Sequence, residues 1–364
     1  MGRSKPLVMM MAGGTGGHVY PALAVATELL SRGYRVEWVG TARGLEHRVV
    51  PAAGIQLHCL AVRGVRGKSL RHKLLSLTCL ALASLQALWL VLRRAPRCVV
   101  GMGGYVAGPA GVAAWLLRRP LVIHEQNAVA GTANRLLAPL ARRVLCGFAG
   151  AFDDSIESAV VGNPVRREVL AVRDQGSYDF VGQRSLHLLV VGGSLGARAI
   201  NQVVPGALRR LVAEGVCISV RHQTGESDDP DVRAAYGPLC AAEAKVAPFI
   251  EDMAAAYEWS DLVLCRSGAL TVAELAIVGR PSILVPLPHA IDDHQTANAR
   301  ALTDCGAALL LPQHEMDEDS VMAFLRELVA DPARLKRMAT AAYGAATPDA
   351  ARHVSDICEE LIYA

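Results

Sequence analysis

Residues 11–21 read M-A-G-G-T-G-G-H-V-Y-P and begin at the end of a short apolar run, residues 7–11. A similar segment, G-G-S-L-G-A at residues 192–197, follows a second apolar run at residues 188–191, about half a chain later. Each glycine segment precedes a stretch with helical character. Because glycine has no Cβ atom, the bare N–H groups at such a helix N-terminus can approach a phosphate closely. The repeat predicts two similar nucleotide-binding domains that face one another, with the ligand in the cleft between them.

The composition is typical of a globular cytosolic protein. A length of 364 residues suits two domains better than one, and 52% hydrophobic against 20% charged residues excludes a disordered chain. The net charge of +3 is too small to indicate a nucleic-acid-binding protein. The nine cysteines are at least 19 residues apart, which fits no CxxC, zinc-site or disulfide spacing. We interpret residues 7–11 as the first strand, not as part of a signal peptide.

Apolar runs alternate with helical stretches along the chain, which is the pattern of a doubly wound α/β fold. Strands are predicted at residues 7–11, 35–39, 98–101, 121–124, 144–146, 188–191, 218–222, 262–265 and 282–285. Helices are predicted at residues 21–31, 129–140, 198–213, 269–278, 321–330 and 349–362.

The segment V-G-N-P at residues 161–164 is the predicted crossing between the two domains, because proline and glycine end both helices and strands. We therefore expect an N-terminal Rossmann-like domain at residues 1–164 and a C-terminal one at residues 165–347. A second break, A-T-P at residues 346–348, precedes the last helix. That C-terminal segment, residues 348–364, is expected to pack back onto the first domain.

Residues 74–92 contain no charge over nineteen positions. As a helix at ~1.5 Å per residue they would reach ~28 Å, close to the ~30 Å hydrocarbon core of a bilayer. A spanning helix would nevertheless place strands of one sheet on opposite sides of the membrane. An ordinary buried crossover helix is the second alternative, but its four polar residues are spread around the helix and form no face for water. We favour a crossover helix whose outer face lies in the membrane surface.

Basic residues flank this uncharged segment on both sides: Arg63, Arg66, Lys68, Arg71, Lys73, Arg93 and Arg94. Near an anionic surface each basic residue contributes ~1 kcal/mol. Residues 63–94 are therefore predicted to dock reversibly on an anionic membrane surface.

The glycine loops do not fit the common dinucleotide or P-loop motifs. A G-x-G-x-x-G motif starting at Gly14 would need glycine where Val19 stands, and Glu37 lies inside its strand instead of ending it. No G-K-S/T follows any glycine cluster, so a Walker loop is absent from the sequence. A third cluster, G-M-G-G-Y at residues 101–105, again follows an apolar run. Two glycine turns in one domain are sufficient to bind a second diphosphate.

The segment D-L-V-L-C-R-S-G-A-L-T-V-A-E at residues 261–274 predicts a strand followed by a helix that Ser267 would cap. Ser267, Thr271 and Glu274 have the spacing i, i+4, i+7 and would share one helix face. The helix N-terminus could then bind a diphosphate while Glu274 accepts two ribose hydroxyls. The alternative interpretation of Glu274 is a solvated first-turn carboxylate that the helix dipole favours.

Eight motifs occur in the order found in the MurG family, the N-acetylglucosaminyltransferases that act on lipid I in bacterial peptidoglycan synthesis. They are M-A-G-G-T-G-G-H-V (11–19), G-M-G-G-Y-V-x-G-P (101–109), H-E-Q-N (124–127), G-N-P-V-R (162–166), V-V-G-G-S-x-G-A (190–197), F-I-x-D-M (249–253), C-R-S-G-A-L-T-V-x-E (265–274) and H-Q-x-x-N-A (294–299). The chain resembles that family from about residue 7 to residue 353. The resemblance implies an α/β fold of the GT-B type, in which two Rossmann-like domains enclose a cleft.

The resemblance also implies which residues bind the substrates. The donor UDP-GlcNAc would contact Thr15, Gly16, Gly17, Asn127, Arg166, Ser194, Ile250, Ala269, Leu270, Thr271, Val272, Ala273, Glu274 and Gln295. The acceptor diphosphate would lie at Gly14, Gly103, Gly104 and Tyr105. Two segments depart from the family pattern: Leu195 stands where glutamine is common, and residues 287–295 match loosely.

The implied reaction moves GlcNAc to the C4 hydroxyl of MurNAc in lipid I with inversion, which requires a single in-line attack and one general base. His18 is the preferred base, since an imidazole titrates near ~6.5, and Glu125 is the alternative. His124 is expected to pack in the core. Helix N-termini and Arg166 would stabilise the leaving UDP.

We expect neither a metal ion nor another cofactor. The chain has two Asp-x-Asp triplets, at residues 229–231 and 317–319, and neither ends an apolar strand. The first is interpreted as a turn and the second as a helix start.

The resemblance places the protein at the cytoplasmic face of the bacterial inner membrane, with lipid I and proteins of cell-wall synthesis and division as partners. Two other functions stay open on the same fold. One is a UDP-GlcNAc 2-epimerase, and the other is a nucleotide-binding scaffold without catalytic activity.

Overall fold

The computed structural model describes residues 5–62, 70–173, 178–193, 196–288 and 293–364. The chain divides into two compact units. The first unit runs to Arg166 and also contains Pro348–Ala364, and the second is Arg167–Thr347. The predicted boundaries lie at residues 164–165 and 347–348.

The first unit contains a seven-stranded parallel sheet with the order β3-β2-β1-β4-β5-β6-β7. Its strands are β1 (Leu7–Met11), β2 (Arg35–Gly40), β3 (Gln56–Cys59), β4 (Cys98–Gly101), β5 (Leu121–Glu125), β6 (Arg143–Cys146) and β7 (Ala159–Val160). Its helices are α1 (Gly16–Ser31), α2 (Glu46–Ala52), α3 (Leu70–Arg94), α4 (Ala107–Leu116) and α5 (Thr132–Leu137), which a 3₁₀ turn at Ala138–Leu140 continues.

The second unit contains a six-stranded parallel sheet with the order β10-β9-β8-β11-β12-β13. Its strands are β8 (Leu186–Val191), β9 (Ile218–Gln223), β10 (Ala244–Ala247), β11 (Leu262–Cys265), β12 (Ser282–Leu284) and β13 (Ala308–Leu310). Its helices are α6 (Arg167–Arg173), α7 (Arg198–Ala213), α8 (Asp229–Tyr236), α9 (Leu239–Ala242), α10 (Met253–Trp259), α11 (Ala269–Val278), α12 (His294–Thr303), α13 (Glu318–Ala330) and α14 (Pro332–Gly344). Helix α15 (Ala350–Tyr363) follows and belongs to the first unit.

The central strands β1, β4 and β11 contain no polar side chain, because helices cover both faces of each sheet. In β1, Val8 and Met10 join the core beneath α1, whereas Met9 and Met11 join the core beneath α3 and α4. This alternation is the two-residue period of a strand with two buried faces. The prediction of two doubly wound α/β domains is confirmed.

Helix α15 completes one of these cores, because Val354, Cys358 and Ile362 are buried in the same cluster as Val8 and Met10. Polar contacts hold the helix as well. Arg32, at the end of α1, forms an ion pair with Asp356 at 2.7 Å, and the hydroxyl of Tyr34 donates to Glu359 at 2.6 Å.

All nine predicted strands are present, but four short strands (β3, β7, β10 and β13) were not predicted. Three predicted helices were wrong at their starts, and one of them is α13, which begins at Glu318 and not at residue 321. Helix α1 begins at Gly16 and not at residue 21, because the extended Thr15 is the N-cap and Pro21 fits inside the helix. The predicted helix at 129–140 is a shorter helix followed by a 3₁₀ turn.

Helix α3 is the predicted crossover helix, and it is longer than the uncharged segment that indicated it. Ala83, Ala87 and Val91 face the core with no exposed surface. The outer face is apolar too, since Leu82, Leu85, Trp89 and Leu92 are each more than half exposed. Among the described residues, no helix has both the length and the apolar character to cross a membrane.

Candidate functional site

The candidate residues fall into two groups, one at the carboxyl ends of the strands in each unit. In the first unit the loops after β1 and β4 touch each other, since these strands are neighbours in the sheet. Gly104, with φ of +85°, leaves no space for a Cβ atom, which would collide with the carbonyl oxygen of Gly13. Gly103, with φ of +92°, lies so close to His18 that a Cβ would be 2.9 Å from its Nδ1. Only glycine permits this contact between the two loops.

A buried carboxylate supports the first glycine loop. Glu46, at the start of α2, has no exposed surface. Its oxygens accept hydrogen bonds from the N–H of Gly14 at 3.0 Å and from the N–H and hydroxyl of Thr41 at 2.9 and 2.7 Å. The backbone N–H of Gly14 is therefore already engaged by Glu46. Sequence reasoning missed this residue, which no motif marked.

The imidazole of His18 lies in the first turn of α1, and its Nδ1 is 2.9 Å from Oε1 of Gln126. The Nε2 atom of His18 has no hydrogen bond to any residue in the described part of the chain. Gln126 directly follows β5, so the candidate base is in contact with the H-E-Q-N motif.

His124 is fully buried, as expected, but it also belongs to the site through hydrogen bonds. Its Nε2 is 2.9 Å from the carbonyl oxygen of Gly162, and its Nδ1 is 3.0 Å from Nε2 of Gln126. Burial lowers the pKa of His124, because the charged ring would lose its hydration.

Glu125, the alternative base, is buried. The partners described for it lie in the loop after β5 and at the start of α5. One oxygen accepts from the N–H and the side-chain amide of Asn127 at 2.9 and 3.1 Å. The other accepts from the N–H of Gly131 at 3.0 Å and from Asn134 at 2.8 Å. Four donors occupy the two oxygens, so this geometry favours a role in holding the loop over a role in proton transfer.

The remaining first-unit candidates surround these loops. Thr15 is the N-cap of α1, Gly16 and Gly17 form its first turn, and no side chain caps this end. Tyr105 is 57% exposed at the end of the second glycine loop. The guanidinium carbon of Arg166 lies 4.8 Å from the ring centroid of Tyr20 on α1.

In the second unit, Gln223 connects two segments of the predicted donor site. Its side-chain nitrogen donates to the carbonyl oxygen of Gly193 at 3.0 Å, and its oxygen accepts from the N–H of Ile250 at 2.9 Å. Gly193 and Gly196 both have positive φ. The predicted site residue Ser194 and the neighbouring Leu195 lie outside the described residues.

A buried histidine lies beneath this loop. His222 accepts or donates hydrogen bonds at both nitrogens, to the hydroxyl of Tyr236 at 3.0 Å and to Oδ1 of Asn201 at 3.1 Å. Asn201 also donates to the carbonyl oxygen of Thr224 at 2.8 Å. Burial lowers the pKa of His222 to about 3, so its ring is neutral.

Helix α11 begins at Ala269, as predicted, but its N-cap is not the predicted residue. Gly268 is the N-cap, and Ser267 is fully buried without a hydrogen bond from its hydroxyl, so the prediction that Ser267 caps the helix was wrong. Ala269, Leu270, Thr271, Val272 and Ala273 form the first part of the helix. Of these, Leu270, Thr271 and Ala273 are half-buried and thus have surface for a ligand.

Glu274 is only 4% exposed, which makes the solvated-carboxylate interpretation wrong. Its Oε2 accepts a hydrogen bond from the hydroxyl of Tyr257 on α10 at 2.9 Å. The other predicted donor residue of this unit, Gln295, accepts at its Oε1 from the N–H of Leu287 at 2.9 Å. Residues 289–292, between Leu287 and Gln295, lie outside the described residues.

The two acidic triplets have structural partners. Asp229 starts α8 and forms an ion pair with Arg233 at 2.6 Å, so this triplet begins a helix and the predicted turn was wrong. Asp317 is the N-cap of α13 in a capping box with Ser320. Among the described residues, no group of three His, Cys, Asp or Glu side chains could hold a metal ion.

Two protein-family models match the chain. The glycosyltransferase family 28 N-terminal domain matches residues 8–146, and the C-terminal domain of the same family matches residues 187–354. The two matches cover most of each sheet and contain the glycine loops described above. The class of protein is thus a family 28 glycosyltransferase.

Relatives that match this chain over nearly its full length identify the family within this class of glycosyltransferases. A protein of Alkalilimnicola ehrlichii named UDP-N-acetylglucosamine--N-acetylmuramyl-(pentapeptide) pyrophosphoryl-undecaprenol N-acetylglucosamine transferase is 55% identical over 353 residues, which are 97% of this chain and 98% of that protein. The crystal structure of Acinetobacter baumannii MurG is 39% identical with a TM-score of 0.81, and the match covers 98% of this chain and 99% of that one. The chain belongs to the MurG family.

A more distant structural neighbour concerns the epimerase alternative. The crystal structure of UDP-GlcNAc 2-epimerase from Neisseria meningitidis bound to UDP-GlcNAc has a TM-score of 0.67 over 97% of this chain and 99% of that one, at 15% identity. At this identity the likeness concerns the fold alone, so it does not favour an epimerase.

Proposed function

We propose that this protein transfers GlcNAc from UDP-GlcNAc to the C4 hydroxyl of MurNAc in lipid I, with inversion, and so forms lipid II for peptidoglycan. The observation that carries the proposal is the 55% identity to the Alkalilimnicola ehrlichii transferase over 97% of the chain. The two glycine loops fit the same chemistry, because both substrates carry a diphosphate.

The donor is assigned to the second unit. Ile250 is held beside the loop after β8 through Gln223, and Thr271 and Glu274 lie on α11, whose N-terminus favours negative charge. Glu274 is buried, and Tyr257 fixes its carboxylate, which suits a group that receives ribose hydroxyls in a set position. Gln295 and Ser194 are proposed as further donor contacts on the resemblance alone.

His18 is assigned as the general base. Its Nδ1 is turned towards Gln126, and Nε2 is left to receive the proton of the acceptor hydroxyl as the C4 oxygen attacks the sugar. Glu125 is less suited, because four donors from its own loop surround its two oxygens. The N-terminus of α11 and Arg166 are assigned to the charge of the leaving UDP.

The acceptor diphosphate is assigned to the second glycine turn of the first unit. Gly103 and Gly104 have backbone conformations that only glycine adopts readily, and Tyr105 is exposed beside them. Gly14 is in contact with Glu46, so its N–H is a weaker candidate than those of the other glycines.

We further propose that the outer surface of α3 and α4 docks on the anionic cytoplasmic face of the inner membrane. This docking surface consists of exposed apolar side chains: Leu82, Leu85, Trp89 and Leu92 on α3, and Val112, Trp115 and Leu116 on α4. The guanidinium of Arg93 lies 5.1 Å from the ring centroid of Trp89, so a cation accompanies the apolar face. Arg63, Arg66 and Lys68 lie outside the described residues. Partners among cell-wall and division proteins are supported by the resemblance alone.

The catalytic proposal is tested by incubating the protein with UDP-GlcNAc, with and without a lipid I analogue. A transferase releases UDP only when the acceptor is present. Formation of UDP-ManNAc without an acceptor would instead identify an epimerase, and no turnover in either condition would indicate a binding scaffold.

The membrane proposal is tested by sedimentation with anionic vesicles. Leu85→Ser should weaken binding, because Leu85 is 65% exposed on α3. Val181→Ser is the matched control, since Val181 is 63% exposed but belongs to the second unit. Equal binding by Leu85→Ser and the parent would contradict the docking surface.

A further inference from the structure

A chain of hydrogen bonds connects the backbone of Gly162 to the ring of His18. Nε2 of His124 is 2.9 Å from the carbonyl oxygen of Gly162. Nε2 of Gln126 is 3.0 Å from Nδ1 of His124 and 3.0 Å from the carbonyl oxygen of the same residue. Oε1 of Gln126 is 2.9 Å from Nδ1 of His18.

The first link sets the tautomer of His124. A carbonyl oxygen can only accept, so Nε2 of His124 must carry the hydrogen that it donates to Gly162. The ring is fully buried, and burial lowers its pKa, so it is neutral. A neutral imidazole with its hydrogen on Nε2 has a lone pair on Nδ1 and accepts there.

The second link sets the orientation of the Gln126 amide. The end that faces His124 meets two acceptors, Nδ1 and the backbone carbonyl oxygen. Only the NH₂ group can donate to both, since a flipped amide would place its oxygen against two lone pairs. The carbonyl end of Gln126 therefore faces His18.

The third link determines the state of His18. Because Oε1 of Gln126 is an acceptor, Nδ1 of His18 must donate to it. The backbone of Gly103 lies against the same side of the ring, where a Cβ would be 2.9 Å from Nδ1. In the neutral ring the lone pair is then on Nε2.

We infer that Gln126 is a positioning residue, which holds neutral His18 in the tautomer with hydrogen on Nδ1 and a lone pair on Nε2. This inference rests on the proposed role of His18 as the base. A free imidazole exchanges between two tautomers, and only the one with a lone pair on Nε2 can take a proton there. The opposite tautomer would place two lone pairs 2.9 Å apart, at Nδ1 and at Oε1 of Gln126.

The choice of an amide has a chemical consequence. When the acceptor hydroxyl gives its proton to Nε2, its oxygen bonds to C1 of GlcNAc, the bond between C1 and UDP breaks, and UDP leaves with the electron pair. His18 is then an imidazolium whose Nδ1–H still donates to Gln126. The neutral amide orients the ring without adding a charge to the site.

The inference is tested by ¹⁵N NMR of the histidine side chains in the whole protein, with the His18 signals assigned by their loss in His18→Ala. In the parent at a pH where His18 is neutral, Nε2 should resonate as an unprotonated nitrogen and Nδ1 as a protonated one. In Gln126→Met, which is similar in length but has only a weakly accepting sulfur, the two signals should move towards the values of a tautomer mixture. The turnover number should fall about tenfold, less than on loss of the base itself, while UDP affinity is unchanged.

Gln126→Glu is the conservative second variant. One carboxylate oxygen still accepts from Nδ1 of His18, so the tautomer should be retained. The other oxygen faces Nδ1 and the carbonyl oxygen of His124, two acceptors, so this variant should also be less stable than the parent in urea unfolding. The negative charge should stabilise the imidazolium, so the acidic limb of the kcat/KM profile should move to higher pH. The other titratable groups of this cluster, His124, Glu125 and Glu46, are the same in both variants.

Asn163→Ala is the control for general damage to the loop. Asn163 donates to the backbone carbonyl oxygen of Gln126 at 2.9 Å and contacts no imidazole in the chain of hydrogen bonds, so its loss should leave the tautomer of His18 unchanged. A parent His18 with hydrogen on Nε2, or an unchanged tautomer in a folded Gln126→Met, would overturn the inference. A shifted tautomer with parental turnover would uphold the positioning role and overturn the assignment of His18 as the base.

Discussion

The two glycine loops follow equivalent central strands, β1 and β8, but different groups support them. Behind the first loop lies the buried carboxylate of Glu46, which accepts from the N–H of Gly14. The second loop is held by a neutral amide, because Gln223 donates to the carbonyl oxygen of Gly193. The first support thus occupies a backbone N–H of its loop, whereas the second occupies a backbone carbonyl oxygen.

The histidines near the two loops differ in the same way. His18 has one ring nitrogen without a hydrogen bond to the described residues, whereas His222 is fully buried and bonded at both nitrogens. This difference agrees with the proposed roles, a general base in the first unit and a donor site in the second. The residues under the two loops differ although the glycine turns are alike.

The sharpest test of this comparison is His18→Ala. Loss of a general base should reduce turnover by roughly 10²–10⁴-fold and leave UDP affinity nearly unchanged, because the donor is assigned to the other unit. Steady-state kinetics and calorimetry with UDP measure the two effects. Activity within a few-fold of the parent would make His18 structural, and Glu125 would become the candidate.

Glu274→Ala makes the converse test in the second unit. It removes hydrogen bonds between a charged group and the ribose, each contributing roughly 1.5–3 kcal/mol, so UDP affinity should fall at least about tenfold. Tyr257→Phe is a matched control, since it keeps the ring and removes only the hydroxyl that donates to Glu274. We expect its effect on UDP affinity to be smaller. Calorimetry that finds equal UDP affinity in Glu274→Ala and the parent would refute the ribose contact.

Two glycines of the first unit offer a matched pair for stability. Gly14 and Gly104 have similar positive φ values, +95° and +85°, but a Cβ would meet open space at Gly14 and the carbonyl oxygen of Gly13 at Gly104. Gly14→Ala should therefore cost about 1–2 kcal/mol from backbone strain alone. Gly104→Ala should lower the free energy of unfolding further, as measured in urea. Equal losses would mean that the two loops do not pack closely.

The last expected effect concerns His222 and pH, and it is small near neutral pH. Its folded pKa of about 3 is lower than the 6.5 of an ordinary histidine, so below pH 6.5 the unfolded chain binds a proton that the folded unit does not. The stability that the neutral ring provides is complete above that pH and declines by at most about 1.4 kcal/mol per pH unit as the pH falls towards 3. His222→Gln should lose this slope. Urea unfolding of parent and variant near neutral and mildly acidic pH makes the comparison, and parallel curves would exclude the effect.

The sequence was sufficient to predict the central strands, because residues buried on both faces form continuous apolar runs. The four missed strands are short, and β3, with the sequence Q-L-H-C, is only partly buried. An edge strand has fewer neighbours to cover it, so its apolar signal is weak. The start of α11 at residue 269 was predicted correctly, but its N-cap was misplaced by one residue, because serine and glycine are both acceptable N-caps and only the backbone decides between them.

The motifs indicated which loops form the site but not what supports them. Glu46 and Tyr257 carry no local signal, since their partners Gly14 and Glu274 are distant in sequence. Gln126 was part of a recognised motif without an assigned role. Its role depends on the orientation of its amide between two histidines, which no pattern of residue types encodes.

The position of helix α15 has a consequence for synthesis of the chain. Unit one contains both ends of the sequence, and Val354, Cys358 and Ile362 fill its core. Domains generally fold as units while the chain emerges from the ribosome. The second unit, although later in sequence, is thus complete before the first, whose apolar side chains beneath α1 stay uncovered until residues 350–363 are synthesised. A message truncated after residue 347 would yield an intact second unit joined to a first unit with an open core, which chaperones and proteases would recognise.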